Sequence, residues 1–98
     1  MLQIQVDTNM LSEFCRKWNV AELALFGSVL REDFTEDSDV DVLITFEPDT
    51  HIGLIAFSGM ELELAGIIGR KVDLVTRGGL KPLIKDSILS QAEILYAM

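Results

Sequence analysis

The chain is expected to fold as α+β, a small mixed sheet of three or four strands with helices packed on one face, and three features of its 98 residues predict this. Short apolar runs rich in β-branched residues, in "LALFGS", "SDVDVLITF" and "GRKVDLVT", are too brief for helices and read as strands. Segments around them repeat apolar residues at helical spacing. Gly, Pro and polar stretches punctuate the joins.

Taken in order, Asp7 or Thr8 can cap a first helix whose Met10, Leu11, Phe14 and Trp18 recur at helical spacing, ending near Asn19. Leu23 to Phe26 form the first strand, which stops at Gly27. A short helix from Ser28 to about Asp33 and the polar loop "TEDSD" then return the chain beside it. Asp39 to Phe46 form the second strand, and Pro48 ends it. Residues 52 to 68 contain no proline and are expected to be helical despite Gly53, Gly59 and Gly66, each costing up to about 1 kcal/mol. Apolar groups point nearly all round this helix: Ile52, Met60, Leu64 and Ile67 on one side, Leu54, Phe57 and Ile68 on another, Ile55 with Leu62 on a third. Only Glu61 and Glu63 mark polar directions. In so small a domain one of these stripes is expected to meet another chain, the alternative being a central, fully buried helix. Gly69 ends the helix, Lys71 to Thr76 form the third strand, and Gly78-Gly79 turn the chain into a last helix. That helix carries Leu80, Leu83, Ile84 and Ile88, with Pro82 tolerated in its first turn. The final "AEILYA" continues as helix or forms a short edge strand.

The length suits one domain over residues 1–98, with no room for a separate substrate-recognition domain, so a protein partner is expected to supply specificity. Sixteen acids against eight bases give a net charge of −8. Such a chain repels polyanions, and DNA or RNA is not an expected partner. From Glu32 to Gly69 there are ten acids and no Lys or Arg. Apart from the motif described next, Glu32, Asp33, Glu36, Asp37, Glu47 and Asp49 read as a solvated rim or a docking surface for a basic partner. Cys15 is the only cysteine, which precludes an intramolecular disulfide, and its spacing from Leu11 and Trp18 suits a core thiol. His51 reads as a solvated flank. The N-terminus lacks a signal-peptide pattern, and the longest run without a charge or His, Ile52 to Met60, is too short to span a bilayer. A cytoplasmic protein with no membrane contact is expected.

The chemistry is concentrated in Gly27-Ser28 and Asp39-Val40-Asp41, with ten residues between Ser28 and Asp39. Glycine at a strand end lets the backbone turn tightly and approach a ligand, and Ser28 as the N-cap of a helix would aim amides at a phosphate. Residues 39 and 41 project from one face of a strand, and two carboxylates there make a hard oxygen site suited to magnesium. A phosphate cradle beside a metal site is what nucleotidyl transfer from a triphosphate requires. Asp73 is a single charge among Val72, Leu74 and Val75, and such a charge is either paired, here with Lys71 or Arg70, or metal-bound.

With these motifs the sequence resembles the minimal nucleotidyltransferase (MNT) domains of the DNA polymerase beta superfamily. "LFGSVLREDFTEDSDVDVLITFEPD" is similar to the core signature, "GRKVDLVT" to the third-carboxylate strand and "ILSQAEILYA" to the usual tail. The resemblance implies that Asp39, Asp41 and Asp73 are catalytic and hold two Mg2+ ions, and that Gly27, Ser28 and Arg31 contact the triphosphate of ATP. Many members have a glycine after the arginine of the signature helix, whereas Glu32 follows Arg31 here. It further implies an antitoxin encoded beside a helical HEPN ribonuclease toxin, to which it transfers AMP; the acidic charge of the chain points to a basic partner, and a homo- or hetero-oligomer is compatible with this reading. Two alternatives stay open: neutralisation by binding alone, and a small-molecule nucleotidyltransferase of the antibiotic-modifying type.

Overall fold

The computed structural model describes residues 6–27, 38–76, 79, 87 and 89–97. Helix α1 spans Thr8–Lys17, where the Asp7 carboxylate accepts from the Asn9 and Met10 amides and so satisfies two orphan donors of the first turn. Strand β1 (Val20–Phe26) follows through Asn19, whose φ of +57° is the left-handed turn that asparagine tolerates better than most residues. Strand β2 spans Val40–Phe46, helix α2 Leu54–Ile68, strand β3 Val72–Thr76 and strand β4 Glu93–Ala97.

The four strands form one mixed sheet in the order β3-β2-β1-β4. β1 runs antiparallel to β2 and to β4, while β2 and β3 are parallel, joined by α2 as the crossover. Leu11, Phe14 and Cys15 of α1 and Met60, Leu64 and Ile68 of α2 pack with Leu23, Leu25, Val40, Val42, Ile44, Val72 and Leu74 in one buried cluster. Both helices therefore cover the same sheet face. The expected α+β architecture is the observed one.

Some boundaries differ for physical reasons. β1 begins at Val20 rather than Leu23, because a bulge between Val20 and Glu22 lets both Val20 and Leu23 face the core. "AEILYA" resolves to the edge strand β4. The alternative of a fully buried α2 is excluded: Leu54 is 83% exposed, Ile55 91% and Leu62 76%. Glu47 and Asp49 lie beyond the C-terminal end of β2, so they do not share one rim with Asp39 at its start. The expected helix at 28–33 and most of the expected last helix, with Pro82, lie outside the described residues. No helix among the described residues is long and apolar enough to cross a membrane.

Candidate active site

Three strand ends meet at one end of the sheet. Phe26, the last residue of β1, lies opposite Asp41 of β2, and Asp41 lies opposite Asp73 of β3. Residues paired across a ladder project from the same face. Val40, Val42, Val72 and Leu74 on either side of the aspartates are buried beneath the helices, so Asp41 and Asp73 project from the other face. With neighbouring strands about 4.8 Å apart, their side chains start side by side. Asp39 precedes Asp41 by two residues and belongs to the same face. Val40 N–H donates to Lys71 O at 2.9 Å, so the pairing holds at the very start of both strands. Asp39 and Asp73 are exposed and Asp41 is half-buried. The structure thus brings Asp39, Asp41 and Asp73 to one sheet end and one face.

Gly27 completes that end. Its φ is +73°, and a Cβ there would overlap the Asp41 carboxylate oxygen Oδ2 and lie 3.1 Å from the carboxyl carbon Cγ. The left-handed backbone favours glycine, and any larger residue there would also have to displace the Asp41 carboxylate. Ser28 and Arg31 lie outside the described residues. Among the described residues no three Asp, Glu, His or Cys side chains converge into a metal-holding group. The shared face, the shared strand ends and the all-carboxylate donor set nevertheless fit a hard divalent cation. Among the described residues Asp73 makes no ion pair with Lys71 or Arg70.

Three other groups have defined roles. Burial pushes the Cys15 thiol up to about 12, so it stays protonated and serves as core volume. His51 is exposed beyond the far end of β2. The five residue steps from Asp41 to Phe46 alone span roughly 17 Å, too far for His51 to act as a base at the aspartates. Glu63 Oε1 accepts from Lys17 Nζ at 3.0 Å and from Trp18 Nε1 at 3.2 Å, tying α2 to α1.

Sequence reasoning missed Glu61. Its Oε2 accepts the Leu74 backbone N–H at 2.8 Å, on the outer edge of β3. The available signal was a carboxylate beside Met60 on an otherwise apolar helix, since a half-buried charge needs a partner.

The sequence profile of the nucleotidyltransferase domain matches residues 8–95. The protein adenylyltransferase MntA of Thermococcus cleftensis is 37% identical over 84 residues, covering 86% of this chain and 81% of the relative. A solved structure described as a minimal nucleotidyltransferase is 32% identical with a TM-score of 0.69, over 87% of this chain and 85% of that one. A toxin–antitoxin crystal structure with AMP-PNP shares the fold at a TM-score of 0.72 and 20% identity, over 95% of this chain and 75% of that one. So does a complex of the tri-AMPylated Shewanella oneidensis HEPN toxin with MNT antitoxin, at a TM-score of 0.64 and 19% identity, over 93% and 70% of the two chains. With a strand-end glycine against the first carboxylate strand, and a profile match over nearly its whole length, this chain belongs to the nucleotidyltransferase domain family.

Proposed function

We propose that this chain is a magnesium-dependent protein adenylyltransferase and the cytoplasmic antitoxin of a HEPN-type ribonuclease toxin, which it silences by transferring AMP from ATP. The reading rests on the register that sets Asp41 beside Asp73 at the sheet end where Gly27 turns. In it, a hydroxyl oxygen of the toxin, taken as that of a tyrosine, attacks the α-phosphorus. The bond from that phosphorus to the oxygen bridging the β-phosphorus breaks, and pyrophosphate leaves. Asp39, Asp41 and Asp73 would hold magnesium, which would supply neutralisation of the charge on the attacking and leaving oxygens. Asp73, exposed on the outermost of the three strands, takes the hydroxyl proton. The Gly27 amide, Ser28 and Arg31 hold the β- and γ-phosphates and orient the in-line geometry.

The toxin is expected to be basic and helical. A net charge of −8 attracts a partner of opposite sign, and the exposed Leu54, Ile55 and Leu62 of α2 offer an apolar centre for the contact. Phe57, the obvious aromatic of this helix, is instead packed against the core. The test is co-purification with the product of the adjacent gene, followed by intact mass measurement after incubation with Mg-ATP. Added AMP on the partner supports the proposal. A stable complex with no mass change replaces it with neutralisation by binding alone, and the absence of any complex overturns both.

A further inference from the structure

β3 carries one of the three aspartates, yet among the described residues it is the outermost strand and pairs with β2 alone. Because Val40 N–H donates to Lys71 O, residues 71, 73 and 75 turn their backbone groups toward β2, while 72, 74 and 76 turn theirs outward. The peptide that joins Asp73 to Leu74 therefore has its carbonyl on the ladder side and its N–H on the open edge. That N–H is taken by the Glu61 carboxylate, reaching across from α2. A hydrogen bond to an ionised acceptor is stronger and shorter than a neutral one, and this one is half-buried.

From this geometry we infer that Glu61 is a positioning residue for Asp73: by holding the outward N–H of the Asp73–Leu74 peptide, it fixes the backbone from which the Asp73 carboxylate projects beside Asp41. The inference rests on the site reading given above, in which Asp73 is a metal ligand. The peptide plane is clamped from both sides, by β2 and by α2. Rotation of that plane swings the Asp73 Cα–Cβ bond, so loss of one clamp costs the carboxylate its alignment with Asp41 even where the strand stays paired. Leu74 and Val72 remain anchored in the core, which limits the effect to local geometry. Outer partners of this kind are worth on the order of ten- to a hundredfold in metal affinity or activity. Glu61 also blocks the β3 edge against pairing with another strand, a purely structural role that the test must separate.

The experiment compares Glu61→Ala, Glu61→Gln and Asp73→Asn with the wild-type chain by calorimetric titration with Mn2+, and by adenylylation kinetics with the copurified partner. Glutamine keeps an acceptor for the Leu74 amide; alanine does not. In Glu61→Ala, Mn2+ affinity should fall by roughly tenfold, as in Asp73→Asn, and turnover should fall by a similar factor while KM for ATP stays within about twofold. Glu61→Gln should restore most of both. Hydrogen exchange at the Leu74 amide should be fast in the alanine variant and slow in the glutamine variant. If Glu61→Ala lowers only the melting temperature and leaves Mn2+ affinity and turnover unchanged, its role is structural and the inference fails. If Asp73→Asn itself binds Mn2+ like the wild type, the site reading fails and the inference falls with it.

Discussion

Gly27 and Gly69 form a matched pair from which the cost of crowding the Asp41 carboxylate can be isolated. Both adopt left-handed backbone, at φ +73° and +80°, but a Cβ at Gly69 would have nothing within 4 Å, whereas one at Gly27 would overlap Asp41 Oδ2. Gly69→Ala should therefore cost only the left-handed penalty, about 1–2 kcal/mol. At roughly 4–8 °C per kcal/mol for a chain of this size, melting should fall by several degrees. Gly27→Ala pays the same penalty and must also displace the carboxylate, so it should be the less stable of the two and should lose its response to Mg-ATP. Asp41→Ala removes the overlapping atoms but keeps a Cβ, which would sit 3.4 Å from the new one in ordinary contact. In the double variant the two losses should be less than additive, with a favourable coupling of about 1 kcal/mol. The assay is urea unfolding of the four chains of this cycle and of Gly69→Ala, repeated with Mg-ATP. Equal losses for the two glycine variants, or zero coupling, would refute the argument that Gly27 exists to make room for Asp41.

Asp39→Asn combined with Asp41→Asn should remove the Mg-ATP stabilisation, which for the wild type at a hundredfold excess over Kd should reach about 2.7 kcal/mol; thermal melts with and without Mg-ATP decide. Ile55→Asp or Leu62→Asp should change the melting of the isolated chain little, by less than about 0.5 kcal/mol, yet abolish co-purification with the partner, while Phe57→Asp should unfold the chain instead. Cys15 gives an alkaline signature. Its thiol is raised from 9.0 to about 12, so between these values the folded state binds more protons than the unfolded one and stability falls as pH rises through that window. Cys15→Ala should flatten that part of the stability–pH curve, read by denaturant midpoints from pH 8 to 11.

Much of this was legible because β-strands obey a period of two. The apolar partners Val40, Val42 and Ile44 identify the buried face of β2, and with them the face that Asp39 and Asp41 must share. The same logic gave Val72 and Leu74 opposite Asp73. What the sequence could not supply was contact between elements distant along the chain. Glu61 meets the Leu74 amide across 13 positions and Glu63 meets Trp18 across 45, pairings that no local periodicity encodes. α2 was ambiguous for a related reason. Apolar on all sides, it carries no amphipathic signal to say which stripe is covered, and only packing shows Met60, Leu64 and Ile68 inside with Ile55 and Leu62 outside. The sequence marks Gly27 as a tight turn, but its place beside Asp41 follows from the β1–β2 register.

That register also explains why site and core can be varied separately. At the start of β2 the side chains that hold the fold flank the one assigned to chemistry, with Val40 and Val42 inward and Asp41 outward between them, before Leu43 and Ile44 are both buried further along. Conversion of the aspartates to asparagine removes charge and no buried volume, so the sheet should survive it. A one-residue slip of β2 would do the opposite, carrying Asp41 into the apolar layer under α1 and α2 and turning Val42 out toward Asp73. Burial of an unpaired carboxylate costs several kcal/mol, comparable to the whole stability of so small a domain. The core's demand for valine at 40 and 42 thus fixes, with no contact from any ligand, the face from which Asp41 meets Asp73.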